Sequence, residues 1–322
     1  MNILEVKNLN MSYETLEGSV AAVKDVTFSL KEGESFGIVG ESGCGKTSVA
    51  MSLLQLQADN GKITSGEIIF DGKDIVKLNE KELRDVRWSG ISIVFQGAMN
   101  SWNPVVKIGE QIREAIREHY PDKTKEENTD KINELFNIVG LDSSIADRYP
   151  HELSGGMKQR AVIALALSCD PKLIIADEPT TALDVVIQDQ ILNEVRKVQD
   201  ILGLSLIYIS HDIAVIAEMT DNMAVMYAGR IVEKGPTKEV FENPRHSYTQ
   251  SLLASTPSVV GDKIKLKSLD GEPPSLINEQ IGCSFAPRCP NKNTSCNPNH
   301  NMELVEVASD HYVDICNDER SK

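Results

Sequence analysis

Apolar and polar positions near the start of the chain alternate in short runs that predict β-strands. Residues Val26–Leu30 alternate in this way before a polar turn. Residues Glu67–Phe70 lead into Asp71-Gly72, a pair typical of a tight hairpin turn. The pattern becomes helical from Lys46 onward and again over Ser154–Leu167. We therefore expect strands followed by helices in this part of the chain.

Two later apolar runs, Leu173–Ala176 and Leu204–Ile209, are short, continuous and bounded by polar residues. Such runs are typical of strands that are buried on both faces of a parallel sheet. A polar, helix-prone stretch extends from about Lys107 to Gly140 and contains a run of charges at residues 122–127, which we interpret as a solvated loop or helix face. Strands that alternate with helices predict an α/β fold.

The composition and the hydrophobic pattern change beyond about Pro257, where Pro, Asn and Cys become more frequent and helical periodicity fades. This change predicts a large domain over residues 1–257 and a small C-terminal module over residues 258–322. We find no internal repeat in the sequence.

The composition narrows the class of protein. The 322 residues are 41% hydrophobic and 25% charged, which argues against a disordered chain, a collagen or a small disulfide scaffold. The formal net charge of −15 argues against nucleic acid as the main partner and against a direct lipid anchor. The N-terminal segment has no basic region followed by an apolar one, and no run approaches the roughly 20 apolar residues of a membrane helix. We expect a chain that folds in the cytosol and can sit on a membrane protein.

One segment matches the phosphate-binding pattern G-x-x-x-x-G-K-[ST] at every fixed position, after the apolar strand Ser35–Val39 and at the start of a helix. Glycines let backbone N–H groups curl around phosphate oxygens, and a helix N-terminus attracts anions. Lys46 supplies a cation for the β- and γ-phosphates, and the Thr47 hydroxyl is placed to ligate Mg²⁺. We interpret Cys44 as a small residue that fits the loop, and not as a nucleophile. The loop comprises Gly40, Glu41, Ser42, Gly43, Cys44, Gly45, Lys46 and Thr47.

Two acidic residues, Asp177 and Glu178, follow the apolar run Leu173–Ala176. Ligands bind at the C-terminal ends of strands in α/β sheets. Asp177 fits the role of holding Mg²⁺, directly or through water, and Glu178 fits the role of general base or orienting group for an attacking water. Acids after buried strands are common, so this assignment depends on the phosphate-binding loop upstream.

A second candidate phosphate-binding surface lies at Leu153–Arg160. Ser154 can cap the following helix, while Gly155 and Gly156 expose backbone N–H groups at its positive end. The alternative is a simple helix cap after a loop, which would be preferred if this segment stood alone.

With these motifs the chain resembles the ATP-binding subunit of an ABC transporter, whose signature sequence is LSGGQ-like. Further motifs of that family follow in order: Gln96 after the strand Ile91–Phe95, Asp184 in the segment 182–184, and His211 after Leu204–Ile209. The resemblance implies that Gln96 senses the metal and couples to the membrane subunits. It also implies that Asp184 lies at a dimer interface and that His211 contacts the γ-phosphate.

The resemblance also implies an aromatic contact with the adenine and a set of contacts with the ATP of a partner subunit. Tyr13 precedes the phosphate-binding loop where the family places an aromatic residue on the adenine, although it could equally be a core or edge aromatic. The γ-phosphate contact implied for His211 also has an alternative, in which Ser210 or Asp212 caps a helix and His211 is only its neighbour in the sequence. The residues that would face the ATP of a partner subunit are Ser154, Gly155, Gly156 and Gln159.

The fold implied by the resemblance is a P-loop NTPase cassette with a parallel-sheet core, an antiparallel β subdomain and a helical subdomain at about 97–168. Two such cassettes pack head to tail, so that each ATP lies between the loop of one and the signature of the other. This chain would therefore be an ATPase that pairs with a second cassette, in a heterodimer. It would work with two membrane permease subunits and an extracytoplasmic solute-binding protein, as a peripheral protein on the cytoplasmic side of the cell membrane.

Three features favour one branch of the family. Residues 99–104 resemble the S-L-N-P segment of peptide and nickel importers, residues 243–249 resemble the H-P-Y-T stretch of the same branch, and the Cys-bearing extension is also typical of it. We expect the ATPase of a dipeptide or oligopeptide importer, with nickel, glutathione or another solute as alternatives. An ABC ATPase without a transport role, or a catalytically silent subunit, is disfavoured because the chain has a single cassette with intact Lys46, Asp177, Glu178 and His211.

Four cysteines gather near the end of the chain with the spacing C-x₅-C-x₆-C-x₁₉-C. Gathered thiols in a reducing cytosol suggest a metal site, although structural zinc more often shows a tight Cys pair. Related subunits carry a four-iron cluster here, so the resemblance implies a structural [4Fe–4S] cluster, with zinc or uncoordinated thiols as alternatives. We interpret the nearby His300 and His311 as ordinary surface histidines. The four cysteines are Cys283, Cys289, Cys296 and Cys316.

Overall fold

The computed structural model describes residues 1–181, 183–255, 269–277, 282–292 and 303–314. The chain divides into two compact units. The first unit comprises Met1–Lys31, Ser35–Val76 and Tyr208–Lys322, and the second comprises Glu32–Glu34 and Lys77–Ile207.

The elements alternate along the chain as an α/β fold requires. In chain order the strands are β1 (Asn2–Thr15), β2 (Gly18–Lys31), β3 (Ser35–Val39), β4 (Gly61–Phe70), β5 (Lys73–Asp74), β6 (Ile91–Val94), β7 (Leu173–Asp177), β8 (Ser205–Ser210), β9 (Asn222–Tyr227), β10 (Arg230–Pro236), β11 (Leu304–Ala308) and β12 (His311–Asp314). The α-helices are α1 (Lys46–Leu53), α2 (Glu80–Val86), α3 (Ile108–His119), α4 (Lys125–Ile138), α5 (Gly155–Leu167), α6 (Val185–Leu202), α7 (Ile213–Met219), α8 (Thr237–Glu242) and α9 (Ser247–Ser255). Short 3₁₀ turns lie at Ile75–Lys77, Ala98–Asn100, Ser143–Asp147 and Pro150–Glu152. Within the described ranges, no helix is both long enough and apolar enough to cross a membrane.

An antiparallel sheet forms the start of the first unit, with its strands in the order β2–β1–β4–β5. Long β1 pairs with β2 on one side, where Glu5 faces Ser29, and with β4 on the other. At the turn between β4 and β5, Asp71 has φ 47° and Gly72 has φ 77°. Positive φ at both central residues is the requirement of a type I′ hairpin turn. The predicted strand and Asp-Gly turn are therefore confirmed.

The first unit also contains a second set of paired strands, which combines parallel and antiparallel pairing. Strand β3 runs parallel to β9, where Val39 faces Val225, and every residue of β3 is buried. Strand β9 then pairs antiparallel with β10, β10 with β12, and β12 with β11. The hairpin β11–β12 at the end of the chain is thus part of this unit. The predicted boundary at residue 257 stays a prediction, because residues 256–268 lie outside the described part of the chain.

The second unit combines buried parallel strands with amphipathic helices. Strands β6 and β7 are parallel, with Val94 facing Ala176. The start of β8 also belongs here, because the Leu206 N–H donates to the Glu34 carbonyl (3.0 Å). The charge run at residues 122–127 is exposed except for half-buried Lys123, and it contains the start of α4, where Thr124 forms a capping box with Glu127. The parallel strands, the antiparallel sheet and the helical stretch confirm the predicted cassette-type α/β fold.

Candidate functional site

The predicted phosphate-binding loop connects β3 to α1 in the first unit. Gly43 has φ 79° and Gly45 has φ 104°, in the left-handed region that side chains disfavour. A Cβ on Gly45 would lie 2.2 Å from the carbonyl oxygen of Ala22, so only glycine fits there. Gly45 is also the N-cap of α1. The loop therefore presents backbone N–H groups and a helix N-terminus together, the arrangement that binds phosphate anions.

Lys46 is held inside this loop. Its side chain is buried, and Nζ donates hydrogen bonds to the carbonyl oxygens of Gly40 (2.7 Å) and Glu41 (3.0 Å). The adjacent Thr47 is exposed at the start of α1. Burial raises the pKa of the Cys44 thiol, which keeps it protonated and weakly nucleophilic. This agrees with the interpretation of Cys44 as a small packing residue.

The backbone and side chain of Glu41 have partners from distant parts of the first unit. The Glu41 N–H donates to the hydroxyl oxygen of Tyr248 (2.9 Å). The Arg288 guanidinium donates two hydrogen bonds to the Glu41 carboxylate, Nη1 to Oε2 (2.6 Å) and Nη2 to Oε1 (2.8 Å). Glu41 is thus held by one aromatic and one cationic side chain, and both come from the C-terminal part of the chain.

Tyr13 is half-buried on β1 and lies close to the helix that follows the loop. Its hydroxyl is 3.3 Å from the Ser48 hydroxyl, in the first turn of α1. The structure therefore places Tyr13 beside the start of α1, whereas its proposed stacking on an adenine stays a prediction.

In the second unit, Asp177 ends β7 and Glu178 follows it directly. Asp177 is buried. Glu178 has φ 47°, a strained backbone conformation for a residue with a side chain, and such strain is typical of functional sites. Oε2 of Glu178 accepts hydrogen bonds from Gln96 Nε2 (2.9 Å) and from Thr181 Oγ1 (3.0 Å). The predicted base and the predicted metal sensor, which follow neighbouring strands, are therefore in direct contact.

The signature segment forms the start of α5 as predicted. Ser154 is the N-cap, and its Oγ accepts a hydrogen bond from the Met157 N–H (3.3 Å). Ser154 and Gly155 are exposed and Gly156 is half-buried, whereas Gln159 is only 2% exposed. The surface that another molecule could reach at this helix start is therefore made by the cap and the two glycines.

Asp184 and His211 each lie at the start of a helix. Asp184 is the exposed N-cap of α6 and accepts a hydrogen bond from the Ile187 N–H (3.0 Å). Its neighbour Ala182 lies outside the described residues. Exposed His211 follows β8, and Asp212 caps α7 by accepting from the Ala214 N–H (2.9 Å). The expected cap at Asp212 is thus confirmed, whereas the contact of His211 with the γ-phosphate stays a prediction.

Two of the four C-terminal cysteines fall in described parts of the chain, Cys283 and Cys289, and both are half-buried. Cys296 and Cys316 lie outside the described residues, so the predicted site of four cysteines stays a prediction. Among the residues that the structure describes, no group of three or more His, Cys, Asp or Glu side chains could hold a metal ion.

The interpretation of His311 as a surface residue is wrong. His311 is fully buried on β12, and its Nε2 lies 2.8 Å from Oε1 of Glu233, which is also fully buried. The Glu233 carboxylate accepts further hydrogen bonds from the N–H groups of Arg245 (2.8 Å) and His246 (2.9 Å). The imidazole is buried because it satisfies a buried carboxylate on the neighbouring strand β10. His300 lies outside the described residues.

Three residues around the predicted site had not been found from the sequence: Thr181, Tyr248 and Arg288. Thr181 stands three positions after Glu178, so a local search for hydroxyl donors could have found it. Tyr248 and Arg288 are separated from Glu41 by 207 and 247 positions, and no local pattern reports such contacts.

Comparisons with known proteins agree with these observations. Residues 23–181 match the family model for ABC transporters, and residues 232–296 match that of the oligopeptide/dipeptide transporter C-terminal region. The chain is 43% identical to the dipeptide transport ATP-binding protein DppD of Bacillus subtilis (strain 168), over 91% of this chain and 88% of that protein. It is 46% identical to the oligopeptide transport ATP-binding protein OppD of the same organism, over 89% of this chain and 81% of that protein.

A solved structure extends the likeness to the fold. The chain resembles the dimeric, post-hydrolysis structure of the ATP-binding cassette MJ0796 bound to ADP and Pi, with a TM-score of 0.65 and 28% identity. The match covers 73% of this chain and 98% of that one. The phosphate-binding loop, the acidic strand end and the signature helix all lie within the part matched by the ABC transporter model. The chain therefore belongs to the ABC transporter family, as an ATP-hydrolysing cassette that carries the oligopeptide/dipeptide transporter C-terminal region.

Proposed function

We propose that this chain is the ATPase subunit that energises the import of dipeptides or oligopeptides through a membrane transporter. The observation that carries the choice of solute is the match of residues 232–296 to the oligopeptide/dipeptide transporter C-terminal region. The names of the two Bacillus subtilis relatives support it, since both are peptide transport ATP-binding proteins.

ATP is proposed to bind at the loop between β3 and α1, with the Lys46 ammonium on the β- and γ-phosphates and Tyr13 against the adenine. Thr47, Gln96 and Asp177 would hold Mg²⁺. Their hydroxyl, amide and carboxylate oxygens are the hard donors that this ion prefers, so the residues present fit the metal. Bound Mg²⁺ neutralises charge on the phosphate oxygens.

Glu178 is proposed to act as the general base or orienting group for the attacking water. The two hydrogen bonds that its Oε2 accepts, from Gln96 and Thr181, support this role because they restrict the carboxylate to one orientation. His211 is proposed to contact the γ-phosphate, and its exposed position after β8 leaves the side chain accessible for that contact.

A second cassette is proposed to complete the site, and we expect it to be a different chain. The cap and glycines at residues 154–156 would face the phosphates of the ATP that the partner holds, with Asp184 nearby at the interface. Val185 and Val186 support an interface here, because their side chains are 81% and 66% exposed directly after Asp184. Because Gln159 is buried, the proposed contact with the partner's ATP falls to the cap and the two glycines.

The remaining partners are proposed to be two membrane permease subunits and an extracytoplasmic solute-binding protein, with this chain on the cytoplasmic side of the cell membrane. Gln96 would couple to the permeases. Exposed apolar side chains at Phe95 and Val105, close to Gln96 in the sequence, offer contact area for such a partner. The net charge of −15 favours attachment through protein subunits over attachment to anionic lipid.

The C-terminal cysteines are proposed to hold a structural [4Fe–4S] cluster, with Zn²⁺ as the alternative. Cysteine thiolates are the ligands of such clusters, and Cys283 and Cys289 belong to a segment held by Arg288. Anaerobic purification, metal analysis and visible absorption would test this. A folded protein without iron or visible absorption would contradict it, and stoichiometric zinc would select the alternative.

The transport function is tested by reconstituting the full transporter in proteoliposomes with the binding protein and internal ATP. We expect uptake of labelled dipeptides or oligopeptides that is lost with Lys46→Ala, while Lys292→Ala, an exposed cation elsewhere in the chain, serves as the matched control. The same vesicles would be tested with Ni²⁺ and with glutathione. Uptake of either solute without peptide uptake would overturn the peptide proposal.

A further inference from the structure

The phosphate-binding loop carries an acidic side chain whose charge is balanced from outside the loop. Glu41 directly follows Gly40, and the carbonyl oxygens of both residues accept hydrogen bonds from Lys46 Nζ. The Glu41 carboxylate pairs with the guanidinium of Arg288 through two parallel hydrogen bonds of 2.6 and 2.8 Å. Bidentate pairs of this kind constrain geometry as well as charge.

Arg288 is fixed in place by contacts on several sides. Its side chain is 5% exposed. Nε donates to the carbonyl oxygen of Asp270 (3.0 Å), and Nη1 also donates to the Tyr227 hydroxyl (3.3 Å). Glu41 and Tyr227 raise the pKa of the guanidinium, which therefore stays charged. Arg288 is thus a permanent and well-positioned cation.

An aromatic cluster attaches the segment of Arg288 to the rest of the first unit. Phe285 is buried with its ring centroid 5.3 Å from that of Tyr227 and 5.4 Å from that of Tyr248. Tyr248 accepts the hydrogen bond from the Glu41 N–H. The same cluster therefore holds both the arginine and the backbone of the loop residue that it pairs with.

The charge of Glu41 matters because the loop binds an anion. The phosphate tail of ATP carries several negative charges, and a carboxylate in the loop that cradles it would repel them if nothing neutralised it. We propose that Arg288 is a positioning residue of the nucleotide site, which neutralises and orients Glu41 so that the loop can accept the phosphates of ATP. The inference rests on the ATP-binding role proposed for the loop and does not depend on which solute is transported.

This arrangement links the C-terminal region to nucleotide affinity. Arg288 precedes Cys289 and lies in the described segment 282–292, which also carries Cys283. Coupling between two sites is reciprocal. A change that displaces this segment therefore weakens ATP binding, and bound ATP stabilises the contact between Arg288 and Glu41.

The test compares Arg288→Ala, Arg288→Lys and the double variant Arg288→Ala/Glu41→Gln in the full transporter, with ATPase rate measured against ATP concentration. We expect Arg288→Ala to raise KM for ATP about tenfold with kcat changed by less than about twofold, since one unpaired charge at the loop acts mainly on binding. Arg288→Lys keeps the charge without the bidentate geometry, so we expect an intermediate KM. Lys292→Ala, which removes an exposed cation from the same segment, is the matched control.

The double variant separates neutralisation from structural support. If Arg288 acts by neutralising Glu41, removing the carboxylate as well restores KM to within about threefold of the unmodified protein. Raising NaCl from about 0.05 M to about 0.5 M would likewise reduce the defect of Arg288→Ala through screening. A double variant as impaired as Arg288→Ala, or an unchanged KM in Arg288→Ala, would overturn the inference.

Binding of a fluorescent ATP analogue to the isolated full chain gives a second readout that involves no solute. It must show the same order of affinities for the variants, and thermal unfolding establishes that each variant is folded. A failure of peptide uptake with this order intact would contradict the proposed solute and leave the role of Arg288 standing.

Discussion

Gln96 Nε2 donates a 2.9 Å hydrogen bond to Glu178 Oε2 across 82 positions of sequence. The contact exists because β6 and β7 are parallel neighbours, so the residues that follow them meet at the same edge of the sheet. Glu178 therefore has an orientation set from outside its own loop. A displacement of Gln96 would be transmitted directly to this carboxylate.

Glu178→Gln is expected to lower the ATPase kcat by about 10²- to 10³-fold, because an amide cannot accept a proton from the attacking water. ATP binding is expected to persist, and the closed pair of cassettes to accumulate, which size-exclusion chromatography with ATP would detect. Asp200→Asn, an exposed acid on α6, is the matched control. Unchanged turnover of Glu178→Gln in the assembled transporter would show that the base is misassigned.

Thr181→Val removes the second donor to Glu178 without changing the shape of the side chain. We expect a fall in kcat of about ten- to a hundredfold, equivalent to one hydrogen bond to a charged group, with little change in KM for ATP. Thr181→Ser keeps the hydroxyl and is expected to retain most of the activity. Equal losses of activity in the two variants would indicate that packing, and not the hydrogen bond, is what matters.

Glu233→Gln disrupts a buried carboxylate that accepts hydrogen bonds from two backbone N–H groups and contacts His311. The replacement amide places an N–H donor where backbone N–H groups already point at the carboxylate. We therefore expect the free energy of unfolding to fall by about 3 kcal/mol. Chemical denaturation of the full chain measures this. Glu242→Gln, an exposed residue at the end of α8, is the control and is expected to change stability by less than about 0.5 kcal/mol.

Tyr248→Phe is expected to change the stability of the protein at alkaline pH. Burial raises the pKa of Tyr248 above its ordinary value of 10.0, so above pH 10 the unfolded chain loses this proton while the folded chain keeps it. The stability that Tyr248 contributes is therefore complete below pH 10 and declines as pH rises, by up to about 1.4 kcal/mol per pH unit.

The phenylalanine variant lacks this titration and also lacks the hydrogen bond from the Glu41 N–H. We expect it to be about 1 kcal/mol less stable than the unmodified protein near pH 8, with the difference shrinking above pH 10. Denaturant unfolding at several pH values measures both. A difference that stays constant across the alkaline range would contradict the prediction.

Much of the site could be predicted because its parts follow local rules. The strand Ser35–Val39, the glycines of residues 40–45 and the cap at Ser154 each depend on a few consecutive residues, whose hydrophobicity or backbone requirements are visible in the sequence. The acidic pair after β7 was visible for the same reason. The structure matches these predictions because hydrogen-bond capping and left-handed backbone geometry act over one or two turns of chain.

His311 shows where that reasoning ended. The sequence pattern was interpreted as an ordinary surface histidine, yet His311 is fully buried against Glu233, 78 positions away. The contact forms only because β10 and β12 pair in one sheet. A buried carboxylate must be hydrogen-bonded, so the choice of partner was made by the packing of distant strands.

Local patterns in the sequence are enough to identify the glycine-rich loop before α1, the acidic pair at the end of β7 and the serine that caps α5. The pairing of Arg288 with Glu41, 247 positions away, and the contact of Gln96 with Glu178 arise from the packing of segments that are distant in the sequence. The two groups of features differ in the range over which the selecting forces act. Backbone geometry and capping are settled within a short window, whereas the pairing of buried charges is settled by which surfaces exclude water together.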